Sequence, residues 1–123
     1  MTTFTDRELD LMAVLWREGS ATVAEMRDAL ADPLAYTTVL TVLRTLEAKG
    51  YVDHREEGRA FRYFPLVARQ KAGLRALARI RDAMFGGSPE MLMLSLVSDR
   101  GLTAEELRGM RRTLNKRLEE LGG

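Results

Sequence analysis

Residues 34–50, LAYTTVLTVLRTLEAKG, run directly into residues 51–65, YVDHREEGRAFRYFP, and the reading of these two stretches decides the fold. Advancing about 100° per residue places Tyr36, Val39, Leu40, Val42, Leu43 and Leu46 in one apolar arc, as expected of a helix with one buried side. The opposite arc holds Thr37, Thr38, Thr41, Arg44, Thr45, Ala48 and Lys49, with Glu47 at the edge of the apolar arc. The outward arc carries no carboxylate.

An exposed helix face is normally filled by good helix formers, and β-branched Thr is poorer by roughly 0.5 kcal/mol per residue. Four Thr on one face therefore cost about 2 kcal/mol, which helix stability does not explain. Contact with nucleic acid does, because a Thr hydroxyl bonds phosphate oxygens or base edges and its methyl packs on a thymine methyl. The helix N-terminus adds unpaired N–H groups and about half a unit of positive charge. The plainer reading is a solvated Thr-rich face with no role.

After Gly50, a helix stop, residues 51–55 and 60–64 alternate as two short strands joined across Glu56, Glu57, Gly58 and Arg59. Phe61 and Tyr63 are expected to pack inward. Arg59 at the tip and Arg62 are then free to reach phosphate or a minor groove, with Glu56 and Glu57 left in solvent.

Working outward, Thr5 with Glu8 and Thr22 with Glu25 are capping boxes that open two earlier helices. The first starts near Asp6, ends before Gly19, and is expected to bury Leu9, Met12, Ala13 and Trp16; Phe4 with Leu9 fits a hydrophobic staple. The second runs through Val23, Met26 and Leu30 and stops before Pro33. Two capped helices, a Thr-faced helix and a two-stranded ribbon, in that order, make a winged helix-turn-helix. Its later helix, near residues 35–49, would enter the major groove and the wing, near 51–65, would lie beside it. The expected DNA-contacting set is Tyr36, Thr37, Thr38, Thr41, Arg44, Thr45, Arg59 and Arg62, with Tyr36 able to face core or DNA.

Beyond residue 66 the pattern is helical throughout. Leu74, Leu77, Ile80 and Met84 recur at helical spacing up to Gly86 and Gly87, and Ser88 with Pro89 caps the very apolar MLMLSLV. Thr103 with Glu106 is a third capping box, opening a helix striped by Leu107, Met110, Leu114, Leu118 and Leu121. These helices have more apolar surface than they can bury alone, so Leu74, Leu77, Met84, Met91, Leu92, Leu96, Leu107, Met110, Leu114 and Leu118 are the expected dimer contacts. The expected organisation is mainly α with a small β-ribbon: a winged-helix domain over residues 1–66 and a helical dimerisation domain over 67–123.

Composition excludes other classes. No Cys and a single His, His54, leave no disulfide and no histidine- or thiolate-based metal site, so no cofactor is expected. No phosphate loop, nucleophile elbow or paired-His motif points to an enzyme. No apolar run approaches the roughly 18 residues that span a bilayer, so a soluble, cytoplasmic protein without membrane insertion is expected. Net charge is only +1; residues 1–66 carry 8 Lys and Arg against 11 Asp and Glu, residues 67–123 carry 11 against 7. The acidic first half supports a competing reading, a winged helix that binds protein. Met84, Met91, Met93 and Met110 support another, direct sensing of a small molecule. Arg69, Lys71, Arg75, Arg79 and Arg81 form an acid-free basic run that suits phosphate or solvent.

TDRELDLMAVLW (5–16), ATVAEMRDAL (21–30), AYTTVLTVLRTLEAKGYV (35–52), RAFRYFP (59–65) and FGGSPE (85–90), in this order, resemble the penicillinase and methicillin-resistance repressors and their copper-responsive relatives. The resemblance implies a homodimeric transcriptional repressor binding a palindromic, double-stranded operator. It also implies, for members controlled by a membrane sensor protease, cleavage at an Asn-Phe bond in the dimerisation half. Here the one Asn, Asn115, precedes Lys116, and Ser95-Leu96 stands at the corresponding place, so such a protease would need a different specificity. The paired C-terminal cysteines of the copper-responsive branch are absent.

Overall fold

A computed structural model describes residues 4–123, in the order α1 Asp6–Glu18, β1 Ala21–Thr22, α2 Val23–Ala29, α3 Tyr36–Ala48, β2 Val52–Glu57, β3 Ala60–Pro65, α4 Arg69–Met84, α5 Pro89–Val97 and α6 Ala104–Glu120. The chain divides into two compact units, with the division between Leu77 and Ala78, inside α4.

In the first unit α1 and α2 start where their caps require. Thr5 and Thr22 accept from the backbone N–H of Glu8 and Glu25, whose side chains accept in return from the cap N–H. Gly19 ends α1 at φ 85°, and Gly50 carries the chain from α3 into β2 at φ 84°. Both angles are in the region glycine adopts without strain. The core forms from Leu11, Met12 and Leu15 of α1, Val23 and Met26 of α2, Val39, Leu43 and Leu46 of α3, and Val52 and Tyr63 of the sheet.

The sheet has three strands, not the expected two, in the order β1-β3-β2, all antiparallel. β1 is only two residues long; Ala21 faces Tyr63 and Thr22 faces Arg62. It ties the wing to the turn between α1 and α2.

Two sequence expectations about packing are corrected. The inner face of α1 is Leu11, Met12 and Leu15, with Val14 and Glu8, while Leu9 and Ala13 face out and Trp16 is half-buried. Residues 11–16 are apolar without interruption, so periodicity alone admits two stripes. Tyr63 is buried as expected, but Phe61 is exposed, because it stands nearer the free end of the hairpin.

At the base of the wing, Phe4 packs on Trp16 and Tyr51, with ring centroids 6.2 and 4.9 Å away. Trp16 Nε1 donates to the Val67 carbonyl at 2.9 Å. These contacts fix where the chain leaves β3 for α4.

In the second unit, Gly86 and Gly87 follow α4 at positive φ, Ser88 caps α5 with Pro89 at its first position, and Thr103 and Glu106 form the third capping box. Among the described residues of α5 and α6 none is fully buried. No helix of the described chain is long and apolar enough to cross a membrane.

Candidate nucleic-acid interface

The buried row Val39, Leu43 and Leu46 orients α3, so that Thr37, Thr38, Thr41, Arg44, Thr45 and Ala48 stand together on the solvent side. Tyr36 is 47% exposed, with the Arg27 guanidinium of α2 5.9 Å from its ring centroid. This tyrosine therefore belongs to the outer surface. Arg27 is a cation beside the face that the sequence reading passed over, because it sits on the preceding helix.

α3 begins differently from α1, α2 and α6. Its N-cap is Ala35, no side chain caps it, and its first turn carries no acid. The first N–H groups are thus open to an external acceptor, such as a phosphate oxygen. The threonines are of two kinds. Thr41 Oγ1 donates to the Thr37 carbonyl at 2.9 Å and Thr45 Oγ1 to the Thr41 carbonyl at 3.0 Å. Back-bonding spends the hydroxyl proton and leaves a lone pair and a methyl for a ligand. Near the helix start, Thr37 and Thr38 make no such back-bond and keep both roles.

The wing is a hairpin in full register from Val52 opposite Pro65 to Glu57 opposite Ala60. Both strands run farther than expected, leaving Gly58 and Arg59 as a two-residue loop with Gly58 at φ 61°. A glycine-first loop of this length matches the twist of the strands. Arg59 is exposed at the tip. Arg55, which pairs in register with Arg62, is also exposed and was not singled out from the sequence.

Arg62 does not stand free. Its Nη2 and Nε lie 2.8 and 3.0 Å from Glu57 Oε2, and its Nη1 lies 2.9 Å from Glu25 Oε1 and 3.3 Å from Ser20 Oγ. Only 18% of the side chain is exposed. The expectation that Arg62 is free is corrected: the register of β3 against β1 turns it toward α2, and Glu57, though exposed, is paired with it. Hydrogen bonds from Arg62 hold the Glu57 carboxyl below the usual range. Glu25 is lowered as well, first by the Thr22 backbone N–H and then by Arg62. The guanidinium is raised in turn by Glu57 and Glu25.

Behind the face, two polar links join α3 to its neighbours. Lys49, whose backbone ends α3, turns its ammonium to Glu8 of α1. Glu47 pairs with the ring of His54 on β2, which also packs against Phe61 and Tyr63 at 4.8 and 5.3 Å. Burial, followed by the Glu47 charge, raises the Tyr63 phenol. Glu47, Asp53 and His54 bring ligand atoms within 4.8 Å of one another. Internal bonds account for that grouping, since Glu47 takes the His54 ring and Asp53 takes the His54 backbone N–H at 2.8 Å.

Of the residues expected at a dimer contact, Leu74, Leu77, Met84, Met91, Leu96, Leu107, Leu114 and Leu118 are exposed in the single chain, Leu74 and Met84 by 69% and 75%. Leu92 and Met110 are half-buried. All of them sit on helices, as their spacing required.

The model of the penicillinase repressor family matches residues 4–116. The transcriptional regulator BlaI of Mycobacterium tuberculosis is 37% identical over 121 residues, covering 93% of this chain and 84% of its own. The methicillin resistance regulatory protein MecI of Staphylococcus aureus is 21% identical over 112 residues, covering 89% of this chain and 91% of its own. The solved DNA-binding domain of the repressor BlaI superposes with a TM-score of 0.50 at 32% identity, over 55% of this chain and 84% of that domain. With the family's pattern running through nearly all of its length and the winged-helix fold in place, the chain belongs to the penicillinase repressor family of DNA-binding transcriptional regulators.

Proposed function

We propose that the chain acts in the cytoplasm as a homodimeric repressor that occupies a palindromic operator, with residues 1–66 reading DNA and residues 67–123 forming the dimer. One observation carries this reading: the outer face of α3 is exposed, rich in threonine, free of acids and open at its N-terminus. Tyr36, Thr37, Thr38 and Thr41 meet the bases from the first turns, with Arg44 and Thr45 behind them. Arg59 meets the backbone beside the groove.

Dimerisation is supported by the apolar helices. α5 and α6 have no fully buried residue among those described, yet present Met91, Leu96, Leu107, Leu114 and Leu118 to solvent. A short segment of this kind gains a core by pairing with a second copy. Two such copies set their reading helices about 34 Å apart, one turn of DNA.

Electrophoretic mobility shift on the DNA upstream of the chain's own coding sequence tests the reading. A sequence-selective, salt-sensitive shift is expected. Binding that is absent, or equal on unrelated DNA, contradicts it.

A further inference from the structure

We propose that Arg62 is a positioning residue of the DNA interface, locking the wing against the turn ahead of α2 and so setting where Arg59 stands. The proposal rests on the DNA-binding reading above and adds to it a division of labour between two arginines three residues apart.

The contacts of Arg62 reach every neighbouring part of that corner. From β3 it bonds Glu57 at the end of β2, Glu25 in the first turn of α2, and Ser20 in the turn between α1 and α2. Each of its three side-chain nitrogens has a partner. Glu25 is fixed on its own account, because its Oε1 also accepts from the Thr22 N–H at 2.9 Å. The anchor on the helix side is therefore rigid.

The pairing disfavours a phosphate at Arg62. Arg62 lines a surface depression with Glu18, Glu25 and Asp28. Glu57 and Glu25 hold the guanidinium from two sides, so a phosphate would have to displace two paired carboxylates. Like-charge approach of this kind is unfavourable. Arg59, in contrast, sits at the exposed tip.

The core holds the base of the wing through Val52 and Tyr63, so the lock serves its outer half. A two-stranded hairpin alone is marginal in water. The third strand contributes only Ala21 and Thr22. A planar guanidinium with several donors in a fixed fork can join two carboxylates at once, which a lysine ammonium does less well. Without the lock the wing samples more orientations, and binding has to order it.

The full-length protein and its Arg62→Gln, Glu57→Gln and double variants test this, by operator affinity across a salt series and by amide hydrogen exchange of DNA-free protein. Arg62→Gln should weaken binding about tenfold with the salt slope unchanged, and adding Glu57→Gln should cost nothing more. In the free protein, the amides of Glu57 and Ala60 should exchange about tenfold faster while those of α1 stay protected. A fall of about one in the salt slope for Arg62→Gln would identify a phosphate contact and overturn the proposal. Unchanged wing exchange would overturn it as well, and that arm holds whether or not the wild type binds DNA. If wild type binds no DNA selectively, the functional reading fails while the lock is still judged by exchange. Arg62→Lys, which keeps the charge without the fork, should show the same pattern at smaller size if Arg62→Gln does not fold.

Discussion

The Lys49 ammonium lies 2.8 Å from Oε2 and 2.9 Å from Oε1 of Glu8, so the C-terminus of α3 is tied to the first turn of α1. Glu8 is 3% exposed and also accepts from the Thr5 backbone N–H. Burial pushes its carboxyl up, but the bond from Lys49, the Thr5 amide and the Lys49 charge outweigh burial and hold it below the ordinary 4.5. Lys49→Met leaves a buried carboxylate uncompensated and should cost about 2–3 kcal/mol in urea unfolding, below the usual figure for a buried pair because the lysine is partly exposed. Glu8→Gln, which can still cap, should cost less.

The same pair sets an acid limit. A carboxyl depressed by folding contributes its full stability above the ordinary glutamate value of 4.5 and loses it as pH falls through the folded value. Glu25 and Glu57 are lowered too and act in the same direction. Unfolding free energies of wild type and Glu8→Gln should therefore converge as pH falls from 7 toward 3. A gap that stays constant would show that Glu8 does not titrate through the pair.

Thr38→Ala separates reading from folding. Alanine is the better helix former by roughly 0.5 kcal/mol, so the thermal midpoint should rise slightly. Discrimination at one operator position should fall by about 1–3 kcal/mol if Thr38 reads a base. Binding measured across operator variants decides the matter, and a uniform loss on all of them removes Thr38 from the reading set.

Arg59→Ala should weaken binding to every sequence alike and lower the slope of log affinity on log salt by about one. A change confined to particular base pairs would assign the wing tip to base reading instead.

Much of this was legible in the sequence because the interactions are local. Thr5 with Glu8, Thr22 with Glu25 and Thr103 with Glu106 are three residues apart, and each formed the box its spacing called for. The exposed face of α3 followed from the helical period, since Val39, Leu43 and Leu46 share one side. What was missed depends on distant partners. β1 is two residues long and exists only by pairing with β3, some forty residues on. Arg62 looked free because Glu25 lies 37 residues before it. The burial of Glu8 had no local signal, because Lys49, 41 residues later, supplies the charge that permits it. Charges near a reading surface can be assigned to the ligand or to the scaffold only once such pairings are known.

Leu114→Glu and Leu118→Glu place charge on the exposed stripe of α6. If that stripe meets a second copy, each should shift sedimentation toward monomer and weaken operator binding by tenfold or more, because two linked half-site contacts become one. Variants that remain dimeric would place the interface elsewhere.

On the function proposed above, two copies of this chain read a two-fold symmetric DNA site through α3. Selection of bound sequences from a random duplex pool by the full-length protein puts this to the test. The expected product is an inverted repeat whose half-site centres are about 34 Å apart, one helical turn. Recovery of unenriched DNA, or of a single half-site without symmetry, would contradict it.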